Sequence, residues 1–195
     1  MKISIIGAGN VGSVLARRFA GNGHEVTTAD SATGPSRLAA DIEAADVTVL
    51  AVPFDAVARL DPRVKRALSG KIVVDATNPL AADFMSLTVG HTTSGGEQNA
   101  ATLPGARVVK AFNTAMATTM ETGRIGGSPL LLPVAADDDE ARKTVLQLAA
   151  ELGFDAVDAG PLSNARYTEP AVELLIQLAF GQGLGPGIGY VLARA

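Results

Sequence analysis

There is no cysteine and no tryptophan in this chain of 195 residues. The first absence removes disulfides, thiolate nucleophiles and zinc–thiolate centres. The second, with aromatic residues at only 4%, leaves little from which to build a base-stacking or sugar-stacking platform. Charge is scarce as well. Only 18% of residues are charged, they sum to −4, and no basic block occurs, so nucleic acid is not expected as a partner. No stretch reaches 18 consecutive apolar residues, so no membrane span is expected. A strand beginning at residue 2 would leave no room for a signal peptide, and a cytoplasmic location is the expectation. Nothing has metal-ligand spacing, and no serine sits in a nucleophile-elbow pattern.

What the chain does have is apolar bulk, 47% of its residues, enough for one domain with a sizeable core. The pattern alternates. KISIIG reads as a buried strand, NVGSVLARRFAG as a helix with Val11, Val14, Leu15 and Phe19 at helical spacing, and HEVTTAD as a second strand. Pro35 to Ala44 reads as a short helix, DVTVLAV as a third strand, Pro53 to Leu60 as a helix, and KIVVDAT as a fourth strand. Asn78 to Gly96 has weak periodicity, with a short strand or loop around Leu87 to Gly90. Then follow a helix from Glu97 to Leu103, the strand ARVVKAF, a short helix from Thr114 to Glu121 and the strand PLLLPVAA. A helix from Asp138 to Leu152, the segment FDAVDAG, an apolar helix over 164–180 and a glycine-rich tail complete the chain. Strands alternating with helices predict an α/β fold of Rossmann type: a doubly wound, mainly parallel sheet with a short C-terminal helical extension. Residues 1–195 are expected to form a single domain.

Gly7-Ala8-Gly9-Asn10-Val11-Gly12 matches the G-x-G-x-x-G dinucleotide fingerprint, and here it follows a strand and opens a helix. Gly7 allows the tight turn, Gly9 the approach of a pyrophosphate, and Gly12 close packing of helix on sheet. The free N–H groups at Asn10 and Val11 are then available to phosphate oxygens. A flavin dinucleotide would use the same cradle, but the short chain favours a dissociable cofactor, NAD(H) or NADP(H). Asp30 ends the second strand, where a carboxylate accepts from ribose hydroxyls and repels a 2′-phosphate. That points towards NAD(H). Ser31, Thr33, Ser36 and Arg37 are the residues that would serve a phosphate instead.

Ligands of open α/β sheets bind beyond the carboxyl ends of the strands. Those ends read Val52-Pro53-Phe54, Thr77-Asn78-Pro79 and Lys110-Ala111-Phe112-Asn113. Val52 and Pro53 are placed to flank the cofactor, and Thr77 and Asn78 to hydrogen-bond the nicotinamide ribose or carboxamide. Lys110, Asn113 and His91 are the candidates for the reacting side. Each has a plainer alternative: a salt bridge for Lys110, a helix N-cap for Asn113, and an uninvolved loop position for His91. Phe112 reads as core, and His24 as structural at the far end of the sheet.

Taken together, Gly7 to Gly12, Asp75-Ala76-Thr77-Asn78-Pro79, the segment from Pro104 to Thr114 with its VVKAFNT stretch, and Leu152 to Leu162 resemble the NADP-dependent reductases of 8-hydroxy-5-deazaflavin (factor 420) and their NAD(P)-binding relatives. The resemblance runs from Lys2 to about Ala179. It implies direct hydride transfer between a nicotinamide and a planar acceptor such as a deazaflavin coenzyme, with little need of a side-chain acid or base. A flavin, a quinone or an imine are alternative acceptors, and a non-catalytic sensor of the dinucleotide is an alternative role. The resemblance also implies a homodimer, with 161–195 helping to form the acceptor pocket or the dimer interface. One departure stands out: the family's reductases place a serine or asparagine and then an arginine after the second strand, where this chain has Asp30 and Ser31.

Overall fold

A computed structural model describes residues 1–194. In chain order its elements begin with β1 (Lys2–Ile6), α1 (Asn10–Gly21), β2 (Glu25–Ala29), α2 (Pro35–Ala44), β3 (Val47–Leu50), α3 (Phe54–Ala58), α4 (Pro62–Leu68) and β4 (Ile72–Asp75). After a long loop come α5 (Gly95–Thr102), β5 (Arg107–Lys110), α6 (Ala117–Met120) and a small hairpin of β6 (Arg124–Ile125) and β7 (Ser128–Pro129). The chain continues with β8 (Leu131–Ala136), α7 (Asp139–Glu151), β9 (Asp155–Asp158) and α8 (Ala165–Ile176).

Seven strands make one sheet in the order β2-β1-β3-β4-β5-β8-β9. All neighbours run parallel except β5 and β8, which pair antiparallel at Val109–Ala136 and Lys110–Ala135. Both faces are covered, which is why the central strands are apolar almost throughout. Ile3, Ile5, Val47 and Val49 face a core shared with Leu15, Phe19, Val145 and Leu148 of α1 and α7. Ile6, Leu50 and Val73 face the other side, against Leu38, Ile42, Val64 and Leu68 of α2 and α4. The strand order reverses between β1 and β3. Their carboxyl ends therefore open a crevice, and it is there that the glycine loop lies.

Local chemistry accounts for the helix starts. Asp138 caps α7 by accepting from the Ala141 N–H at 2.7 Å, and the Ser94 hydroxyl caps α5 by accepting from the Glu97 N–H at 3.1 Å while donating to the Glu97 carboxylate at 2.8 Å. The sequence reading missed α4, although Asp61 caps it and Pro62 occupies its first position. The segment around Leu87 is a loop with a single bridge to Leu80, not a strand. The helix expected over 164–180 is α8 followed by a wider π turn, Gln177–Gly181. Beyond it the tail returns along the sheet: the Leu131 N–H donates to the Tyr190 carbonyl at 2.9 Å, and Arg194 grips Asp155 with two bonds. No helix among the described residues is long and apolar enough to cross a membrane.

Candidate active site

The cradle is set by three glycines with different reasons for being glycine. Gly7 turns the chain at φ +115° and donates its N–H to the Ala29 carbonyl at 2.8 Å. A Cβ on Gly7 would overlap the Ala51 carbonyl, and one on Gly12 would overlap the Gly7 carbonyl. The protein's own packing therefore demands both. A Cβ on Gly9 would meet nothing within 4 Å. The space above Gly9 is open, and the N–H groups of Asn10, Val11 and Gly12 precede the first bond of that turn, Ser13 N–H to the Gly9 carbonyl at 2.9 Å. No side chain caps α1 and its first turn carries no acid. That arrangement fits a dinucleotide pyrophosphate, which the amides from Ala8 to Gly12 would hold.

On one side of the loop lies a cavity of about 800 Å³, walled by the ends of β1 and β2 and by Leu38, Ala56, Leu60 and Val64. Asp30, Ser31 and Thr33 line it. One carboxylate oxygen of Asp30 accepts from the Ala32 N–H and from the Thr33 hydroxyl, both at 3.0 Å. The hydroxyl bond first, and the amide second, hold this carboxyl below the usual aspartate range. Arg37 is a correction to the sequence reading. Its guanidinium pairs with Asp41, one helical turn on, at 3.0 Å and borders a shallow groove with Lys2 and Glu25 instead. Arg59, overlooked in the sequence, does line the cavity, paired with Asp55 at 2.6 Å.

Val52 and Pro53 separate this cavity from a second, of about 640 Å³. Its floor is Ala76, Thr77 and Asn78, Val11 closes one side, and Leu80, Ala81, Ala82, Phe84 and Thr88 arch over it. This flap is pinned where Thr88 donates to the Pro79 carbonyl from its N–H at 2.7 Å and its hydroxyl at 3.0 Å. Phe84, at the flap tip with φ +59°, is 67% exposed yet borders the cavity. The sequence reading missed it. The available signal was a lone aromatic in a loop just past a strand-ending Asn-Pro.

Thr77 and Asn78 lie on the floor of the crevice. The Asn78 amide donates to the Asn113 carbonyl, and the Asn113 amide donates back to the Asn78 side-chain oxygen, both at 3.1 Å. Asn113 is buried and caps no helix; it braces Asn78 from behind. Phe112 turns the chain there at φ +63° and buries its ring edge-on against Phe19 and Phe154.

Lys110 is the second correction. Its side chain is wholly buried, with the ammonium 2.9 Å from Glu169 on α8, 3.3 Å from Asp75, and donating to the Thr77 carbonyl at 2.6 Å. Asp75 also accepts from the Thr77 N–H at 2.9 Å and the Asn99 amide at 3.0 Å. Glu169 accepts from the N–H groups of Gly95 and Gly96, at 2.8 and 3.0 Å, where α5 begins. The lysine therefore sits beneath the crevice floor, with its ammonium held by two carboxylates and a carbonyl. His91 is the third: it is exposed, at φ +61°, and faces a neighbouring groove with Arg166, Tyr167 and Pro170 rather than the crevice. His24 bonds Glu151 at 3.1 Å at the opposite end of the sheet.

Comparison with known proteins agrees with this geometry. Residues 2–79 match the family model described as NADP oxidoreductase, coenzyme F420-dependent. The F420-dependent NADP reductase of Methanothermobacter marburgensis is 32% identical over 91% of this chain and 92% of its own. Metalloreductase STEAP3 of Rattus norvegicus is 31% identical over 86% of this chain, but the chain spans only 36% of that protein's length. A crystal structure from Arthrobacter sp. FB24, assigned as a candidate F420-dependent NADP reductase, superposes with a TM-score of 0.88 at 31% identity, covering both chains completely. The chain belongs to the family of F420-dependent NADP reductases and is an NAD(P)-dependent oxidoreductase.

Proposed function

We propose that this oxidoreductase exchanges a hydride between its nicotinamide cofactor and a planar deazaflavin-type ring lying in the cavity under the flap. The observation that carries the reading is the chemistry of that lining. It is apolar, with Phe54, Leu80 and Phe84 facing it, and its one ionisable side chain, Asp55, is committed to Arg59. The described lining holds no histidine, lysine or tyrosine to serve as a general acid, and direct hydride transfer needs none: positioning and exclusion of side reactions suffice. The reductase of Methanothermobacter marburgensis, by its name, uses F420, which makes a deazaflavin the first acceptor to try.

When bound, the reduced nicotinamide supplies the hydride. The chain's own residues bind and orient. The amides of the glycine loop hold the pyrophosphate, Val52 and Pro53 keep the cofactor's path across the sheet, and Thr77 and Asn78 address the nicotinamide half. The flap from Leu80 to Thr88 keeps water from the ring faces. The exposed face of α8, carrying Tyr167 and Leu174, with Phe180 beyond it, suits a second copy of the chain, and a homodimer is the assembly proposed. Its expected site of action is the cytoplasm, where dissociable nicotinamide cofactors circulate.

The experiment mixes purified protein, reduced nicotinamide and oxidised deazaflavin and follows bleaching of the deazaflavin's visible band. Turnover at about 1 per second or faster supports the reading. Turnover with a flavin, a quinone or a cyclic imine but none with deazaflavin refutes it.

A further inference from the structure

We infer that the adenosine cavity selects NAD(H) over NADP(H), against the habit that the family's name states. This rests on the nicotinamide reading above and concerns which of the two dinucleotides is read.

The carboxylate of Asp30 is the first ground. The turn Asp30–Thr33 holds it: the Ala32 N–H and the Thr33 hydroxyl donate to one oxygen, and the Asp30 N–H donates to the Thr33 hydroxyl oxygen at 3.1 Å. The other oxygen takes none of these bonds. It is left to accept from the adenosine ribose hydroxyls, the role of an acid at this point of a dinucleotide fold. A 2′-phosphate would bring a charge of about −1.5 to −2 to the same place.

The second ground is that the neighbouring cations are already engaged. Arg37 pairs with Asp41 outside the cavity. Arg63 forks onto Asp61 at 3.0 and 3.1 Å and spends another N–H on the Ser36 hydroxyl at 3.1 Å. Arg59, the one cation among the described lining residues, sits on Asp55. Asp61 adds a second carboxylate to the lining. A phosphate arriving here would meet two acids, Asp30 and Asp61, against a single lining cation, Arg59, which it would share with Asp55 in an exposed pair.

The hydroxyls offer little more. Thr33 gives its proton to Asp30, which leaves Ser31 as the only untied donor of the turn. One serine does not offset a facing carboxylate, since a phosphate site is built from arginine forks or several amides.

The test titrates the protein with NADH and with NADPH, following nicotinamide fluorescence at low and at moderate salt. NADH is expected to bind about tenfold or more tightly, with the gap widening as salt is lowered, because repulsion between charges a few ångströms apart at a surface is screened. Asp30→Asn keeps the side-chain acceptor for Ala32 and removes the charge. It should bring the two dissociation constants within about threefold while melting at the parent temperature. Equal or tighter NADPH binding by the parent protein overturns the inference and leaves the nicotinamide reading standing. A variant Arg59→Ala that loses NADPH affinity alone, by about tenfold, also overturns it, since Arg59 would then be a phosphate ligand. Binding of neither nucleotide removes the nicotinamide reading, and this inference with it.

Discussion

Replacing Lys110 with methionine should cost the protein about 3–5 kcal/mol of stability. The substitution keeps the length of the side chain but removes the ammonium that Asp75 and Glu169 share, with all three side chains at most 1% exposed. Two carboxylates are then left in the interior with only neutral donors around them: the amides of Thr77, Gly95 and Gly96 and the side chain of Asn99. Breaking a buried pair by removing one partner typically costs that much because the other charge stays unpaid in a low-dielectric surrounding. A domain of this size unfolds with about 5–15 kcal/mol to spare, so the loss is a large share of the whole. With a urea slope of about 2 kcal/mol per molar, the midpoint should fall by about 2 M, and the melting temperature by about 10 °C. Adding Glu169→Gln removes one of the stranded charges, and the double variant should recover about 1–3 kcal/mol relative to the sum of the two single changes. Urea titrations of the four proteins measure this cycle. A loss below about 1 kcal/mol for Lys110→Met, or strict additivity in the cycle, would refute the buried-clamp reasoning. A variant of parental stability whose hydride transfer is slowed about a thousandfold would return the ammonium to the chemistry.

The two loop glycines should part company. Gly9→Ala fills open space, so its melting temperature should match the parent while the shift produced by saturating cofactor shrinks; Gly12→Ala should lower the melting temperature itself, because its Cβ overlaps the Gly7 carbonyl. Phe84→Ala should raise the KM for the planar acceptor about three- to tenfold and leave nicotinamide affinity unchanged, as read by steady-state kinetics and direct titration. The Asp30 carboxyl titrates below the ordinary aspartate value, so the contact proposed for it with the ribose would be present above that value and lost as pH falls through the lower one. NADH affinity should therefore be flat from about pH 8 to 5 and weaken only below about pH 4. A step near pH 6.5 would assign the contact to an imidazole instead.

Much of this site can be read without coordinates, and what cannot has identifiable causes. The cradle was legible because Gly7, Gly9 and Gly12 fall within one turn of chain, directly after the apolar strand Lys2–Ile6 and at the start of a helix with an apolar stripe. The hydrophobic pattern gives strand positions but not direction, so the reversal between β5 and β8 left no trace. The helix Pro62–Leu68 was within reach, since Asp61-Pro62 followed by Val64, Ala67 and Leu68 carries both a cap and a buried stripe. Lys110 was misplaced for a different reason. A lysine at a strand end reads as exposed, and what buries it are acids on β4 and α8, far away in sequence. Arg37 and Arg59 show the same effect on the surface: the guanidinium nearer in sequence to Asp30 turns to an acid on its own helix, and the more distant one reaches the cavity.

The hold of Glu169 on Lys110 and on the start of α5 also sets an order of events during synthesis. By the time residue 110 has left the ribosome, the glycine loop, Asp30 and the first five strands are all available to fold. The ammonium of Lys110 then has Asp75 but not Glu169, and the amides of Gly95 and Gly96 have no acceptor. Both wants are met only when α8 emerges, some sixty residues later. A nascent chain is thus able to shape the nucleotide cradle long before the floor beneath the acceptor is fixed, and the site becomes whole only near the end of translation.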